Sequence, residues 1–471
     1  MKELLKKNIT LLMGVFLFIF MMLINGMNEG SPGGADSYIH HMISKWSFIH
    51  PELFFDHWGK PLFTLVSSPF AQFGLKGSAT INIILAIASG LLVRKMAHYF
   101  GVKNAWLGVL MVVFSPMFFA VSLSSLTEIL FAFVLILAIY FFSRNQIAFS
   151  LITISFIPFA RTEGIIFIPL FFGAVLWIRE FKKIPFLLTG FVVMAVMGYA
   201  AHDDVLWPIT EMPYSVSSNS YGHGDLFHFI NHSSAIFGWP LLISFLLGLY
   251  VLLGQIRKRS NLHFTLVIFL VVSSVLTYFF AHSVVWAFGM GSSAGLTRVM
   301  AGITPLVGCI GLFGVSGLVE RFIKVKRFRA YLMVLLGLVF VLEGLTKRSY
   351  PILLGQEERV VQNVCEYLST PKNQDAFIVY YHPYVPFFLA LDPFSGETCK
   401  ERVFDVENPG AGLDIGSVII WDAHFSPNEG GLTKEVLLND TNLILIKEFK
   451  PIEYFTTYGN RAFEVLLFQK I

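Results

Sequence analysis

Charge is the scarce ingredient of this chain. Asp, Glu, Lys and Arg make up 14% of its 471 residues, against roughly 25% in soluble globular chains. With 55% hydrophobic residues and a mean hydropathy of +0.67, the polar surface is too small to keep the chain in water. The lipid bilayer must therefore be its main solvent. The signs nearly balance, at a net charge of +3, which gives no footprint for nucleic acid, and no such partner is expected. Cysteine is also rare. Three residues are too few for a disulfide framework. Cys309 lies in an apolar run, whereas Cys365 and Cys399 share the C-terminal region. Those two can pair if that region is extracytoplasmic, and buried unpaired thiols fit the sequence equally well. No repeat of fixed period and no low-complexity segment is present.

What the chain has in abundance is long apolar runs. A helix needs roughly 17–25 residues to cross a hydrocarbon core. Windows near 8–26, 79–93, 105–122, 127–142, 147–160, 164–178, 185–201, 235–254, 262–281, 299–319 and 330–346 approach or reach that length. They predict about eleven transmembrane helices. The first follows Lys2, Lys6 and Lys7 and has no small-residue cleavage site immediately after it, so an uncleaved signal anchor is expected. With the N-terminus cytoplasmic, alternation puts the basic groups on the same face. These are Arg94-Lys95 with Lys103, Arg144, Arg179 with Lys182-Lys183, Arg257-Lys258-Arg259, and Lys324, Lys326, Arg327 and Arg329. The opposite face receives 27–78, 122–126, 161–164, 202–234, 282–298 and the C-terminal tail, segments rich in His, Asp, Tyr, Trp and Ser. The segment 63–73 is too short to span and reads as an interfacial helix, with Pro61 at its start and Pro69 bending it.

Composition shifts near Lys347. An amphipathic helix over 360–368 and β-rich runs at 376–381, 417–421, 443–446 and 463–468 alternate with Pro- and Gly-rich turns. The expected fold class is thus a mostly α, polytopic membrane protein with a small C-terminal extracytoplasmic α/β domain. Residues 1–346 form the transmembrane domain, and 347–471 the second domain.

The chemistry-capable residues cluster on the outer face. Asp36 follows the Pro32-Gly33-Gly34 turn, where a carboxylate can take a proton from a hydroxyl at the membrane surface. It also suits the cap of a helix beginning near Tyr38. Around it lie His40, His41, His50, Asp56 and His57. They carry no HExxH-type spacing, so contact with substrate or solvent is expected and no metal. Lys60 stands where the loop re-enters the membrane, suited to a lipid phosphate or to snorkelling. Glu128 opens one span, and Arg161-Thr162-Glu163-Gly164 joins two others. Arg161 can clamp a phosphate, or it can form an ion pair with Glu128 or Glu163. Arg298 is the only Lys or Arg in 282–298 and asks for an anionic partner. In Asn219-Ser220-Tyr221-Gly222-His223-Gly224-Asp225, glycines surround polar groups, as in a sugar-facing loop or an ordinary turn.

Four of these features, in this order, resemble the GT-C superfamily of integral-membrane glycosyltransferases, notably the protein O-mannosyltransferases and the aminoarabinose transferase of lipid A. They are Ala35-Asp36-Ser37-Tyr38 in the first outer loop, the re-entry Gly59-Lys60-Pro61-Leu62, Thr127-Glu128 with Arg161-Thr162-Glu163-Gly164, and Thr297-Arg298 before a helix bearing Pro305. The resemblance covers residues 1–345. It implies a polyprenyl-phosphate-linked sugar donor, inverting transfer and no nucleotide sugar at the active site, and no cofactor is expected. It makes Asp36 the catalytic base and gives Lys60, Arg161 and Arg298 to the donor phosphate. Glu128, Glu163, His40, Asp56 and His57 would meet sugar or acceptor, the acceptor being a glycan, lipid or protein. Ser37 departs from the paired Asp-Glu of the O-mannosyltransferases, which leaves the donor sugar open. The expected location is a bacterial inner membrane, multi-pass. The competing class is a transporter or lipid flippase, which would show ionisable groups at mid-helix and broken helices near the bilayer centre.

Overall fold

The structure is a computed structural model that describes residues 2–212, 222–258, 261–291, 293–371 and 376–471. The part of the glycine-flanked loop at 219–221, and Arg259 of the basic run, lie outside the described residues. By its contacts the chain forms two units. One comprises Met1–Met27 and Ile43–Pro351, the other Asn28–Met42 and Ile352–Ile471.

The first unit is helical. Among the described residues, seven helices are long and apolar enough to cross a membrane: Thr10–Met27, Gly74–Tyr99, Phe181–His202, Trp239–Ile256, Leu262–Ala287, Thr297–Phe322 and Lys326–Thr346. The shorter apolar helices Glu128–Ser143, Ile147–Ala160 and Thr162–Trp177 coincide with other expected spans. The window 105–122 is instead two short helices, Leu107–Val113 and Pro116–Ser122. Pro116 explains the break, because its ring disfavours helical geometry in the residue before it, and Ser115 is extended at ψ 127°. Pro61–Ala71 is a helix as expected, opened by Pro61. It is docked by serine pairs, with Ser44 Oγ 2.5 Å from Ser67 Oγ and Ser47 Oγ donating to Ser68 Oγ at 3.0 Å.

Thr297–Phe322 is the central element, with its whole apolar window buried. Helix Trp239–Lys258 lies against it, backbone to backbone. A Cβ on Gly314 would run into the backbone of Gly248 and stand 2.7 Å from the Ser244 carbonyl oxygen. Lipid tails are as apolar as leucine, so such helices gain from close small-residue packing rather than from escape from water.

The two ends of this bundle differ in chemistry. At one end His263 Nε2 donates to the Ser143 carbonyl at 2.9 Å, the Arg144 guanidinium sits 4.2 Å over the Tyr99 ring, and Lys103 pairs with Glu320 at 3.3 Å. Helices that end there begin at the other end with Glu128 and Arg298, and helix Leu262–Ala287, which begins at this end, carries His282 toward that other one.

The second unit is α/β. Its strands are β1 (Ile378–Tyr380), β2 (Cys399–Glu401), β3 (Val418–Asp422), β4 (Leu443–Phe449), β5 (Thr456–Thr457), β6 (Arg461–Ala462) and β7 (Val465–Lys470). Five form a sheet in the order β2-β1-β3-β7-β4, with β2, β1 and β3 parallel and β7 antiparallel to both its neighbours. β5 and β6 form a separate antiparallel pair. The strands β1, β3, β4 and β7 coincide with the apolar runs. β2, a three-residue strand holding Lys400 and Glu401, has no apolar alternation by which to be found. Helix Gln356–Leu368 packs its apolar face inward, with Val360, Val361, Val364, Cys365 and Leu368 all buried. Cys309, Cys365 and Cys399 are buried free thiols.

Residues 28–42 are woven into this unit. Glu29 N–H donates to the Ile352 carbonyl at 2.8 Å, and Ile352 N–H donates to Asn28 Oδ1 at 2.8 Å. The fully buried Tyr38 ring packs 4.6 Å from Tyr384 and 4.7 Å from Phe387.

The contact at Gly314 is testable. Gly314→Val should lower the unfolding midpoint of the detergent-solubilised chain by an amount corresponding to about 1–3 kcal/mol. Gly173→Ala, at a helical glycine with nothing within 4 Å of the added carbon, should leave it unchanged. Equal midpoints for the two variants would contradict the close helix approach.

Candidate active site

Four separate segments of the first unit bring charged groups to one end of its bundle. Glu128 is the first residue of helix Glu128–Ser143 and is 1% exposed. Arg161 sits at the extended joint between helix Ile157–Ala160 and the 3-10 turn Thr162–Phe167. Arg298 lies in the 3-10 turn Thr297–Ile303 that leads into the central helix. Lys60 caps the helix Pro61–Ala71 with φ 64° and ψ 97°. A lysine in that left-handed region stores about 1–3 kcal/mol of strain, which the surrounding packing must hold.

The arginines share one carboxylate oxygen. Glu128 Oε1 is 2.9 Å from Arg161 Nη1 and 3.4 Å from Arg298 Nε. Arg161 Nη1 also donates to Thr127 Oγ1 at 3.0 Å, and its Nε donates to Glu163 Oε1 at 2.5 Å. Both ion pairs weighed from the sequence for Arg161 therefore form together. Lys60 is 6% exposed, and its ammonium donates to the His57 carbonyl at 2.8 Å and to Thr162 Oγ1 at 3.2 Å. Thr162 follows Arg161 in the chain, so the lysine joins the same group. Asp56 turns the loop just before it, its Oδ1 accepting the Gly59 N–H at 2.5 Å. His57 Nε2 donates to the Trp207 carbonyl at 3.0 Å, with its ring 5.0 Å from that indole.

Two members were missed in the sequence. Tyr278 Oη donates to Glu163 Oε1 at 3.3 Å and lies 3.2 Å from the Val299 carbonyl, and its ring stacks on Phe167 at 5.8 Å. His282 Nε2 is 3.9 Å from the same Glu163 oxygen. The signal was present: four residues apart, Tyr278 and His282 share one helix face, but Tyr278 was hidden in an apolar window, and His282, read as the first residue of an outer segment, belongs to a helix that runs on to Ala287.

Asp36, His40 and His41 belong to the second unit. Asp36 is half-buried in the first turn of helix Gly34–Trp46, which starts earlier than expected, at Gly34. His40 and His41 are buried, and the His41 ring meets Phe387 at 5.8 Å. Burial, the largest cause, pushes the phenols of Tyr38 and Tyr384 far above their ordinary range.

No protein-family model matches the sequence, and no curated protein matches it. Solved structures do match the fold. The chain is similar to the crystal structure of ArnT from Cupriavidus metallidurans bound to undecaprenyl phosphate, with a TM-score of 0.59 and 11% identity, over 98% of this chain and 97% of that one. It is likewise similar to the same protein in the apo state, with a TM-score of 0.57 and 13% identity, over 97% of each chain. The chain therefore has the fold of the ArnT structures over nearly its whole length, a helical domain with a small C-terminal sheet domain.

Glu128 is the keystone of the charge group. Glu128→Gln would leave two guanidiniums facing each other without their shared anion. Breaking a buried pair in this way costs about 3–5 kcal/mol. The variant should unfold in detergent at a clearly lower temperature than the wild type. A midpoint unchanged by the substitution would mean that the pairing contributes nothing.

Proposed function

We propose that this chain is a membrane glycosyltransferase that moves a sugar from a polyprenyl-phosphate-linked donor to an acceptor on the extracytoplasmic side, with inversion at the anomeric carbon. The observation that carries the reading is the convergence of Lys60, Arg161 and Arg298, from three distant segments, at one end of a bundle with the ArnT fold. That the ArnT structure holds undecaprenyl phosphate supports a prenyl-linked anion as the ligand of these cations.

In this reading the chemistry is an inverting displacement. Asp36 takes the proton of the acceptor hydroxyl as its oxygen attacks the anomeric carbon. The bond from that carbon to the phosphate oxygen breaks, and the prenyl phosphate leaves with the electron pair. Lys60, Arg161 and Arg298 stabilise the charge it gains. Glu128 and Glu163 hold the guanidiniums in place before the donor arrives, and His40, Asp56 and His57 are the candidates for sugar or acceptor contact. A transporter would place its ionisable groups at mid-helix. Here Glu128 and Arg298 open their helices, which favours the enzyme. In a cell, the proposed enzyme sits in the inner membrane with the sheet domain extracytoplasmic.

Two measurements test this. Asp36→Asn should lower transfer from the endogenous prenyl-linked donor in membranes by about 10²–10⁴-fold, while binding of undecaprenyl phosphate by the purified protein is preserved. Full transfer activity in that variant would remove Asp36 as the base. Arg298→Ala should weaken undecaprenyl phosphate binding about tenfold or more, the loss of one charge-assisted hydrogen bond. Mass spectrometry of lipid pools should show a prenyl-phosphate sugar accumulating when the gene is deleted, and an unchanged pool would argue against transfer.

A further inference from the structure

Among the described residues, one group of histidine and acid side chains outside the arginine cluster brings its ligand atoms together. Glu357, His382 and His424 each offer one such atom, all within 4.8 Å of one another. His382 Nε2 is 2.8 Å and His424 Nδ1 is 2.6 Å from the same oxygen, Glu357 Oε1. Nothing in the spacing of these residues along the chain suggests a site, because three different elements supply them.

The placement is that of a built site. β1 and β3 are parallel neighbours, so their carboxyl ends lie at the same edge of the sheet. His382 lies just past the end of β1 and His424 just past the end of β3. Crevices outside the carboxyl ends of parallel strands are where α/β sheets bind ligands. Glu357 comes from the first turn of helix Gln356–Leu368.

The supporting shell is rigid. Asp422, fully buried, accepts the N–H groups of His424 at 2.9 Å and Phe425 at 2.6 Å, and the Ser426 hydroxyl at 3.1 Å. The next residue of the helix after Glu357, Glu358, accepts the Gly355 N–H at 2.6 Å and so ties down that first turn. The His382 ring is held by Tyr384 at 4.5 Å and Phe425 at 4.7 Å. Exposure is graded: 1% for the His382 side chain, 24% for Glu357 and 29% for His424. One ligand is anchored in the protein and two face a solvent-accessible side.

We propose that Glu357, His382 and His424 bind a divalent transition-metal ion of the zinc class, with the fourth coordination position open to water or to an anionic group. Two imidazoles with one carboxylate is a set that zinc accepts when three protein ligands leave a position free. Metal–ligand bonds of about 2.0–2.1 Å in a tetrahedron separate the ligand atoms by roughly 3.3 Å. The present 2.6–2.8 Å contacts open to that distance on loading. Loading moves the remaining ring proton of His382 to Nδ1, which gives up the bond from the Tyr384 N–H. That bond is long, at 3.3 Å, and so weak. The site is independent of the transfer chemistry proposed above.

The test uses the full chain in detergent, free of any histidine tag, stripped with chelator, reloaded with Zn²⁺ in excess Mg²⁺ and desalted. Elemental analysis should find about one zinc per chain in the wild type. Glu357→Gln and His424→Gln should each weaken Zn²⁺ binding by about a hundredfold or more, the loss of a direct ligand exceeding the effect of outer-shell changes. No retained zinc in the wild type, or equal retention in folded variants, overturns the proposal. Co²⁺ loading of the wild type decides the matter if a variant fails to fold. Intense visible bands of tetrahedral Co²⁺ at one equivalent support the site, and a spectrum of hydrated octahedral Co²⁺ alone overturns it.

Discussion

The membrane unit depends on one carboxylate oxygen. Glu128 Oε1 lies between the guanidiniums of Arg161 and Arg298, and Glu128 itself is almost wholly removed from solvent. Charges brought out of water in this way are tolerated only when geometry is good and every partner is in place. The constraint therefore acts in both directions. It joins the start of one helix, the joint between two others and the entry to the central helix, and it forbids each of those segments from moving alone.

Around that oxygen the rest of the charge group is arranged in layers. Glu163 takes Arg161, Tyr278 and the approach of His282 on a single oxygen. Lys60, held at a left-handed φ, reaches the carbonyl of His57 and the hydroxyl of Thr162. Cations and carboxylates interleave, so that no guanidinium is buried beside another without an anion between them. The guanidiniums and the ammonium are thus each held in place by named partners within the protein. The strained lysine persists because the surrounding structure holds it.

The second unit follows a different rule. Its sheet has β3 and most of β7 fully buried, and helix Gln356–Leu368 packs against β4 and β7. Its composition is closer to that of an ordinary small α/β domain than to the rest of the chain. The segment Asn28–Met42 enters this unit through backbone hydrogen bonds to Ile352 and through the Tyr38 ring. Asp36 thus rides on a helix turn whose position is set by contacts with residues more than three hundred positions later in the chain.

Much of this was legible without coordinates. Apolar length and the scarcity of charge prescribe membrane helices, because each is a one-dimensional property of the chain against its solvent. The β-branched runs around Ile378, Val418 and Val465 announce strands for the same reason. The identities of Lys60, Glu128, Arg161 and Arg298 stand out because charge next to lipid is expensive wherever it occurs. Tertiary structure alone decided who meets whom: that Glu128 bridges two arginines, that Tyr278 and His282 join Glu163, that Asp36 is carried with the C-terminal sheet, and that Glu357, His382 and His424 converge. Those are three-dimensional coincidences of side chains drawn from distant segments, and no local pattern of residues records them.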